Sequence, residues 1–157
     1  MRVLGLDLGD RRVGMAVSDP LGLTAQGLPT LTRKGGPRTT GEGGGPATDR
    51  ADSTVDAIAD LCVRLEVESI VIGLPRNMDG SYGPRAEMTR EFGGRLHERT
   101  GLPVHEWDER LTTRAADSVL LQADLSRKKR RGAVDRVAAV LILQGFLDRQ
   151  RAGVRRS

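Results

Sequence analysis

The chain has 157 residues, a formal net charge of +4, a single cysteine and only 3% aromatic residues. This length suits one domain spanning 1–157, able to hide roughly 70% of the surface its unfolded chain would expose. No run approaches the ~20 consecutive apolar residues of a membrane span, one cysteine excludes an internal disulfide framework, and so few aromatics exclude a broad stacking platform. The N-terminus shows no basic segment followed by an apolar run and a cleavage site, so a soluble cytoplasmic protein with no membrane contact is expected.

Residues 2–8 and 12–18 are β-branched and Leu-rich runs separated by Gly9-Asp10-Arg11, which predicts a hairpin. Asp7 stands inside the first apolar run, where an ionised carboxylate is costly unless it meets a cation, so it points to a metal or proton-transfer site. Arg11 and Arg12 fall in the turn beside it, where they either hold a phosphate or belong to a solvated turn. A third run, roughly Gln26 to Arg33, extends the hairpin into a meander. Lys34 to Asp49, with six glycines and two prolines, predicts a flexible loop of about 34–49 within the domain.

From Arg50 onward Val55, Ile58, Ala59, Cys62 and Leu65 form the stripe of an amphipathic helix, which makes Cys62 a small core residue. Ser69 to Pro75 is a short apolar run of the kind buried on both faces of a sheet. Arg76 to Gly83 is a loop in which Asn77, Asp79 and Gly80 favour a tight turn, and in which Arg76 and backbone amides offer a phosphate cradle. Pro84 opens a helix carrying Met88, Phe92 and Leu96 at fourfold spacing. Leu102 to Trp107 is a strand, followed by a helix over about Thr112–Gln122, capped by Thr112 or Thr113. A last helix covers about Ala133–Arg149, with a basic tail at about 150–157.

Three leading strands followed by helix, strand, helix, strand, helix, helix predict an α/β layer sandwich. Its five-stranded mixed sheet has strands 1–3 antiparallel and strands 4 and 5 parallel, flanked by helices. Parallel crossovers then make strands 1, 4 and 5 neighbours whose carboxyl ends share one edge, where ligands of such sheets bind. Asp7, Gly73-Leu74-Pro75 and Asp108-Glu109 are thereby brought together across a hundred residues of chain.

Asp135 joins them from the final helix. Its i+3, i+4 and i+7 neighbours are Ala138, Ala139 and Ile142, an apolar stripe that faces the body, although a first-turn acid also complements the helix dipole. Carboxylates converging without histidine or cysteine partners make a hard oxygen site suited to Mg²⁺ or Mn²⁺, and His97 and His105 show no metal-ligand spacing. Two such cations ~4 Å apart support phosphodiester hydrolysis. Adjacent strand residues point to opposite faces, so only one of Asp108 and Glu109 aims straight at Asp7 unless the strand has already ended. Arg110, next in line, is either a transition-state cation or an ion-pair partner.

The C-terminal segment supplies the matching charge. Residues 126–157 carry Arg127, Lys128, Lys129, Arg130, Arg131, Arg136, Arg149, Arg151, Arg155 and Arg156 against Asp135 and Asp148, while the rest of the chain is net acidic. Such a segment either is a solvated tail or meets a polyanion, since neutralising phosphates releases condensed counterions. The natural substrate is then a nucleic-acid backbone. Trp107 and Tyr82 are able to stack on unpaired bases, Trp107 having core packing as its alternative.

Four stretches together resemble the bacterial RuvX/YqgF family. They are Gly5-Leu-Asp-Leu-Gly-Asp-Arg-Arg-Val-Gly-Met-Ala-Val-Ser-Asp19, Val71-Ile-Gly-Leu-Pro-Arg-Asn-Met-Asp-Gly-Ser-Tyr-Gly83, Asp108-Glu-Arg-Leu-Thr-Thr113 and Lys128-Lys-Arg-Arg-Gly-Ala-Val-Asp-Arg-Val-Ala-Ala139. The resemblance implies an RNase H-like fold and a metal-dependent nuclease that matures the 5′ end of the 16S ribosomal RNA precursor, or one that resolves Holliday junctions in DNA recombination and repair. It implies Asp7, Glu109 and Asp135 as the catalytic, metal-binding carboxylates, with Asp108 as the alternative to Glu109. Arg11, Arg12, Arg76, Arg110, Arg127, Lys128, Lys129, Arg130 and Arg131 are then the phosphate contacts. Partners on this reading are structured RNA, as free precursor or on a ribosomal particle, or branched DNA, bound by a monomer or a homodimer. Arg136, where the family commonly has a small residue, and the long Gly-rich stretch depart from its pattern. Two other classes compete: a non-catalytic RNA-binding, ribosome-associated factor, and a sugar-kinase-like phosphotransferase, which shares the Gly-x-Asp-x-Gly pattern but needs two lobes.

Overall fold

The first hairpin joins β1 (Arg2–Leu8) to β2 (Arg12–Ser18), with Leu4 opposite Val17 and Asp7 opposite Gly14. The Gly9 N–H donates to the Arg12 carbonyl at 2.8 Å and closes the turn. A Cβ at position 9 would lie 2.9 Å from that oxygen, so the turn demands a glycine. The structure is a computed structural model. It describes residues 2–9, 11–32, 47–75, 79, 81–108 and 127–155, with side chains throughout except at 47–52, 127–136 and 152–155.

β3 (Ala25–Thr32) pairs antiparallel with β2, and β4 (Val67–Leu74) and β5 (Val104–Asp108) run parallel to β1. The order is β3-β2-β1-β4-β5, the mixed sheet expected from the sequence, with β1 at its centre. α1 (Ala47–Arg64) and α2 (Pro84–Thr100) cover one face. Leu4, Leu6, Met15, Ile70 and Ile72 pack there against Val55, Ile58, Cys62, Phe92 and Leu96. α3 (Arg127–Arg155) covers the other face, where Val3, Ala16 and Val71 meet Ala139, Ile142, Leu143 and Leu147. Burial of both faces explains the near-continuous apolar runs of β1 and β4.

α2 starts at Pro84, which has no N–H to lose, and ends at Gly101 in the left-handed region (φ 73°), whose N–H donates to the His97 carbonyl. No helix among the described residues is long and apolar enough to cross a membrane.

Several boundaries differ from expectation: β4 is Val67–Leu74 rather than Ser69–Pro75, and β5 is Val104–Asp108 rather than Leu102–Trp107. β3 begins at Ala25, and α1 begins at Ala47, inside the stretch expected to be loop, the rest of which lies outside the described residues. α3 runs from Arg127 to Arg155 rather than over Ala133–Arg149. Gly132 and Gly153 lie just outside the expected limits, but a helical glycine costs only about 1 kcal/mol, and the run of Lys and Arg before Gly132 favours helix. The helix expected at Thr112–Gln122 lies outside the described residues.

Candidate active site

Asp7 is the penultimate residue of β1, half-buried and level with Gly14 of β2. The β1–β4 ladder sets Leu6 against Ile72, so the next position on β4 is Gly73, itself paired with Trp107 of β5. A row Gly14, Asp7, Gly73, Trp107 thus crosses the sheet near its carboxyl edge. Alternation fixes the face: Leu4 and Leu6 pack towards α1 and α2, while Val3 packs against α3 and Gly5 lies directly beneath it. Asp7 therefore shares the α3 face, and the positions level with it on both flanking strands are glycines.

α3 brings position 135 to the same end. Ideal Cβ placement at Gly5 falls 2.8 Å from the Leu143 Cβ and 3.2 Å from the Ala139 carbonyl oxygen, so helix and strand are in close contact here. Further along, the Ala25 N–H donates to the Gln144 Oε1 at 2.9 Å, fastening the helix to the start of β3 beside the amino end of β1. The helix accordingly runs back from the carboxyl edge, with Asp135 one turn before Ala139. Position 135 is the ninth residue of α3, well beyond the first turn, which holds no acid. The helix-dipole explanation of Asp135 is thereby removed, since that effect fades within one turn.

β5 separates the two neighbouring acids. Trp107 presses on Gly145 and His105 stacks near Phe146 at 5.1 Å between ring centroids, so odd-numbered positions of β5 face α3. Val104 packs on the opposite core and Glu106 pairs with Arg90 of α2 at 3.3 Å. Asp108 continues that second series, away from the face of Asp7. Glu109, Arg76 and Arg110 lie outside the described residues, as do the side chains of Arg127, Lys128, Lys129, Arg130, Arg131 and Asp135, although these last six positions belong to α3. Among the described residues no three His, Cys, Asp or Glu side chains gather into a metal-holding group.

Arg11 and Arg12 are exposed at the hairpin turn next to Asp7. In the loop from β4 to α2 the Ser81 N–H and hydroxyl both donate to the Asp79 Oδ1, at 2.9 and 2.6 Å, and hold that carboxyl below its usual range, while Asn77 and Gly80 of the expected tight turn lie outside the described residues. His97 is bonded at 2.8 Å through its Nδ1 to the Leu102 carbonyl, and His105 lies against Phe146, so both rings are engaged in structural contacts. Two features carry no signal in the sequence. One is the glycine on each side of Asp7, visible only once the register is known. The other is the Trp107 Nε1–H, which is buried without an acceptor.

A sheet of this order with an acidic residue on its central strand is an RNase H-like fold. RuvC from T. thermophilus, solved in complex with a Holliday junction substrate, superposes with a TM-score of 0.60 at 18% identity, covering 96% of each chain. A second T. thermophilus RuvC structure gives 0.54 at 15% identity. This likeness is one of fold. The chain belongs to the RuvX family, whose model, described as Holliday junction resolvase, matches residues 1–42 and 44–149. Relatives named "Putative pre-16S rRNA nuclease" include one from Moorella thermoacetica, 52% identical over 95% of this chain and 96% of its own. Another, from Pelotomaculum thermopropionicum, is 50% identical over 96% of this chain and 88% of its own.

Proposed function

We propose that this protein is a divalent-metal-dependent nuclease acting on structured RNA, with the 5′ end of the 16S ribosomal RNA precursor as its substrate. The observation that carries the reading is Asp7, held on the central strand between Gly14 and Gly73 with position 135 of α3 arriving at the same edge. The names of relatives near 50% identity support the choice of substrate.

Asp7, Asp135 and Glu109 are the proposed metal-binding carboxylates. The alternation of β5 favours Glu109 over Asp108, because 107 and 109 share the face of Asp7 if the strand geometry continues by one residue. An all-oxygen donor set fits Mg²⁺ or Mn²⁺. Such a cation would supply Lewis acidity for hydrolysis of the phosphodiester bond. The chain's own part is positional: the sheet fixes Asp7, Arg11 and Arg12 flank it, and the basic first turns of α3 attract the backbone.

Cleavage of a precursor-rRNA 5′ end and of a four-way DNA junction, each with Mg²⁺, Mn²⁺ or EDTA, tests the proposal. Metal-dependent cutting of the RNA alone, lost in Asp7→Asn, is the expected result. Cutting of the junction alone would give the place to the second reading, which the family description favours. Salt-sensitive binding with no cutting of either would leave a binding factor.

A further inference from the structure

β5 leads directly into position 109 and α3 carries position 135, and the two elements meet where the Trp107 indole lies on Gly145. A Cβ placed on Gly145 would fall 2.7 Å from Cζ2, 3.3 Å from Cη2 and 3.4 Å from Cε2 of the ring, so the edge of the indole rests on the helix backbone. Gly145 has no positive φ that calls for a glycine, and a glycine inside a helix is a cost to stability. Room for the indole accounts for it. The Trp107 Nε1–H is buried without an acceptor among the described residues, so packing rather than a hydrogen bond seats the ring. His105, on the same face of β5, extends the contact onto Phe146.

The two residues before Gly145 are tied to other strands. Leu143 lies against Gly5 of β1, while Gln144 accepts the Ala25 N–H at 2.9 Å and donates to the Leu23 carbonyl at 3.1 Å, at the start of β3. Three successive residues thus dock the helix on the central strand and on both edge strands of the sheet. Of these contacts, the one at Trp107 stands in the row that contains Asp7, and it lies two residues before position 109. We infer that Trp107 and Gly145 are positioning residues for the metal centre. The reach of the indole sets how far α3 stands from the carboxyl end of β5, and so the spacing of positions 109 and 135 about Asp7. The inference rests on the metal-dependent reading of the Asp7 site.

Titration with Mn²⁺, followed by electron paramagnetic resonance in the absence of nucleic acid, reads metal binding apart from cleavage. The wild type is expected to bind Mn²⁺ saturably and Asp7→Asn to lose that binding. Gly145→Ala makes the spacer too long and Trp107→Phe makes it too short, so each is expected to weaken Mn²⁺ binding, roughly 10- to 100-fold as for other changes behind metal ligands. The double variant is expected to recover most of the loss, since the added methyl takes up part of the room that the indole vacates. Ile58→Val loosens the opposite core and is expected to lower the melting temperature with Mn²⁺ affinity unchanged. Wild-type affinity in both single variants, no recovery in the double variant, or an equal loss in Ile58→Val would overturn the positioning role. Should Gly145→Ala not fold, Trp107→Phe against Ile58→Val decides. Mn²⁺ binding that is absent from the wild type, or unchanged in Asp7→Asn, would overturn the metal reading of the site and the positioning role with it.

Discussion

Asp7→Asn keeps the shape of the side chain and removes its charge, so its effects on folding and on metal chemistry separate. Cleavage is expected to vanish while a cooperative thermal unfolding transition is retained, because the amide has the shape of the carboxylate it replaces. Retained turnover would take Asp7 out of the mechanism. Cys62 offers a contrasting case: burial in the α1 core pushes its thiol up to about 11. Modification by an aromatic disulfide reagent at pH 8 is therefore expected only at the rate of unfolding, which stopped-flow absorbance reads directly. Asp19 is half-buried and structured, its Oδ1 accepting the N–H groups of Thr24 and Leu23 at 3.0 and 2.6 Å, and its carboxyl is lowered chiefly by the Thr24 bond. A lowered native value means that its stabilisation is present above the ordinary carboxylate value and lost as pH falls through the lowered one. The melting-temperature gap between wild type and Asp19→Ala should accordingly be full at pH 7 and close on strong acidification. The special status of Asp7 and Cys62 is legible in the sequence because each interrupts or completes an apolar pattern. The clasp at Asp19 is not, since turn bonds leave no periodicity.

The helix packed over the central strand has little room to spare. A methyl group at Gly5 would fall 2.8 Å from the Leu143 Cβ and 3.2 Å from the Ala139 carbonyl. Gly5→Ala is therefore expected to destabilise by about 1–3 kcal/mol through overpacking, lowering the melting point by roughly 2–10 °C in a thermal scan. An unchanged melting point would show that α3 shifts freely on the sheet. Strand and helix identities are readable from hydrophobic spacing, and the β1–β2 hairpin has the expected bounds because Gly9 punctuates it. The start of α3 is not readable in the same way, because its first turns are basic and carry no apolar stripe to extend the periodic pattern past Gly132. Asp108 and Glu109 are inseparable from sequence, since the face of β5 is set by what Trp107 and His105 touch on α3, a contact made forty residues away.

At the scale of the molecule, charge is divided along the chain: the last 32 residues hold ten basic groups against two acids, and the remainder is net negative. Affinity for nucleic acid should fall steeply with salt. Replacing Lys128 and Lys129 by Ala should flatten the slope of log K against log salt by about one for each phosphate that is no longer neutralised, and an unchanged slope would exclude them from the phosphate-binding surface. Sheet order is legible in the sequence because right-handed parallel crossovers admit few arrangements. That position 135 lies towards the same end of the sheet as Asp7 is only half legible, since the helical phase of Asp135 can be read from its alanines but the direction of α3 across the sheet cannot.

β1 has a hydrogen-bonded neighbour on each side and a packed helical layer above and below. No local fluctuation of a loop or a sheet edge exposes its amide protons, so Leu4, Gly5 and Leu6 should exchange with deuterium only through global opening. Exposed positions at the rim, such as Arg11 in the hairpin turn and Tyr82 ahead of α2, have no such double cover. In a protein built this way the carboxylate on the central strand is the stationary reference, and on the proposed function the substrate would be brought to it from the rim.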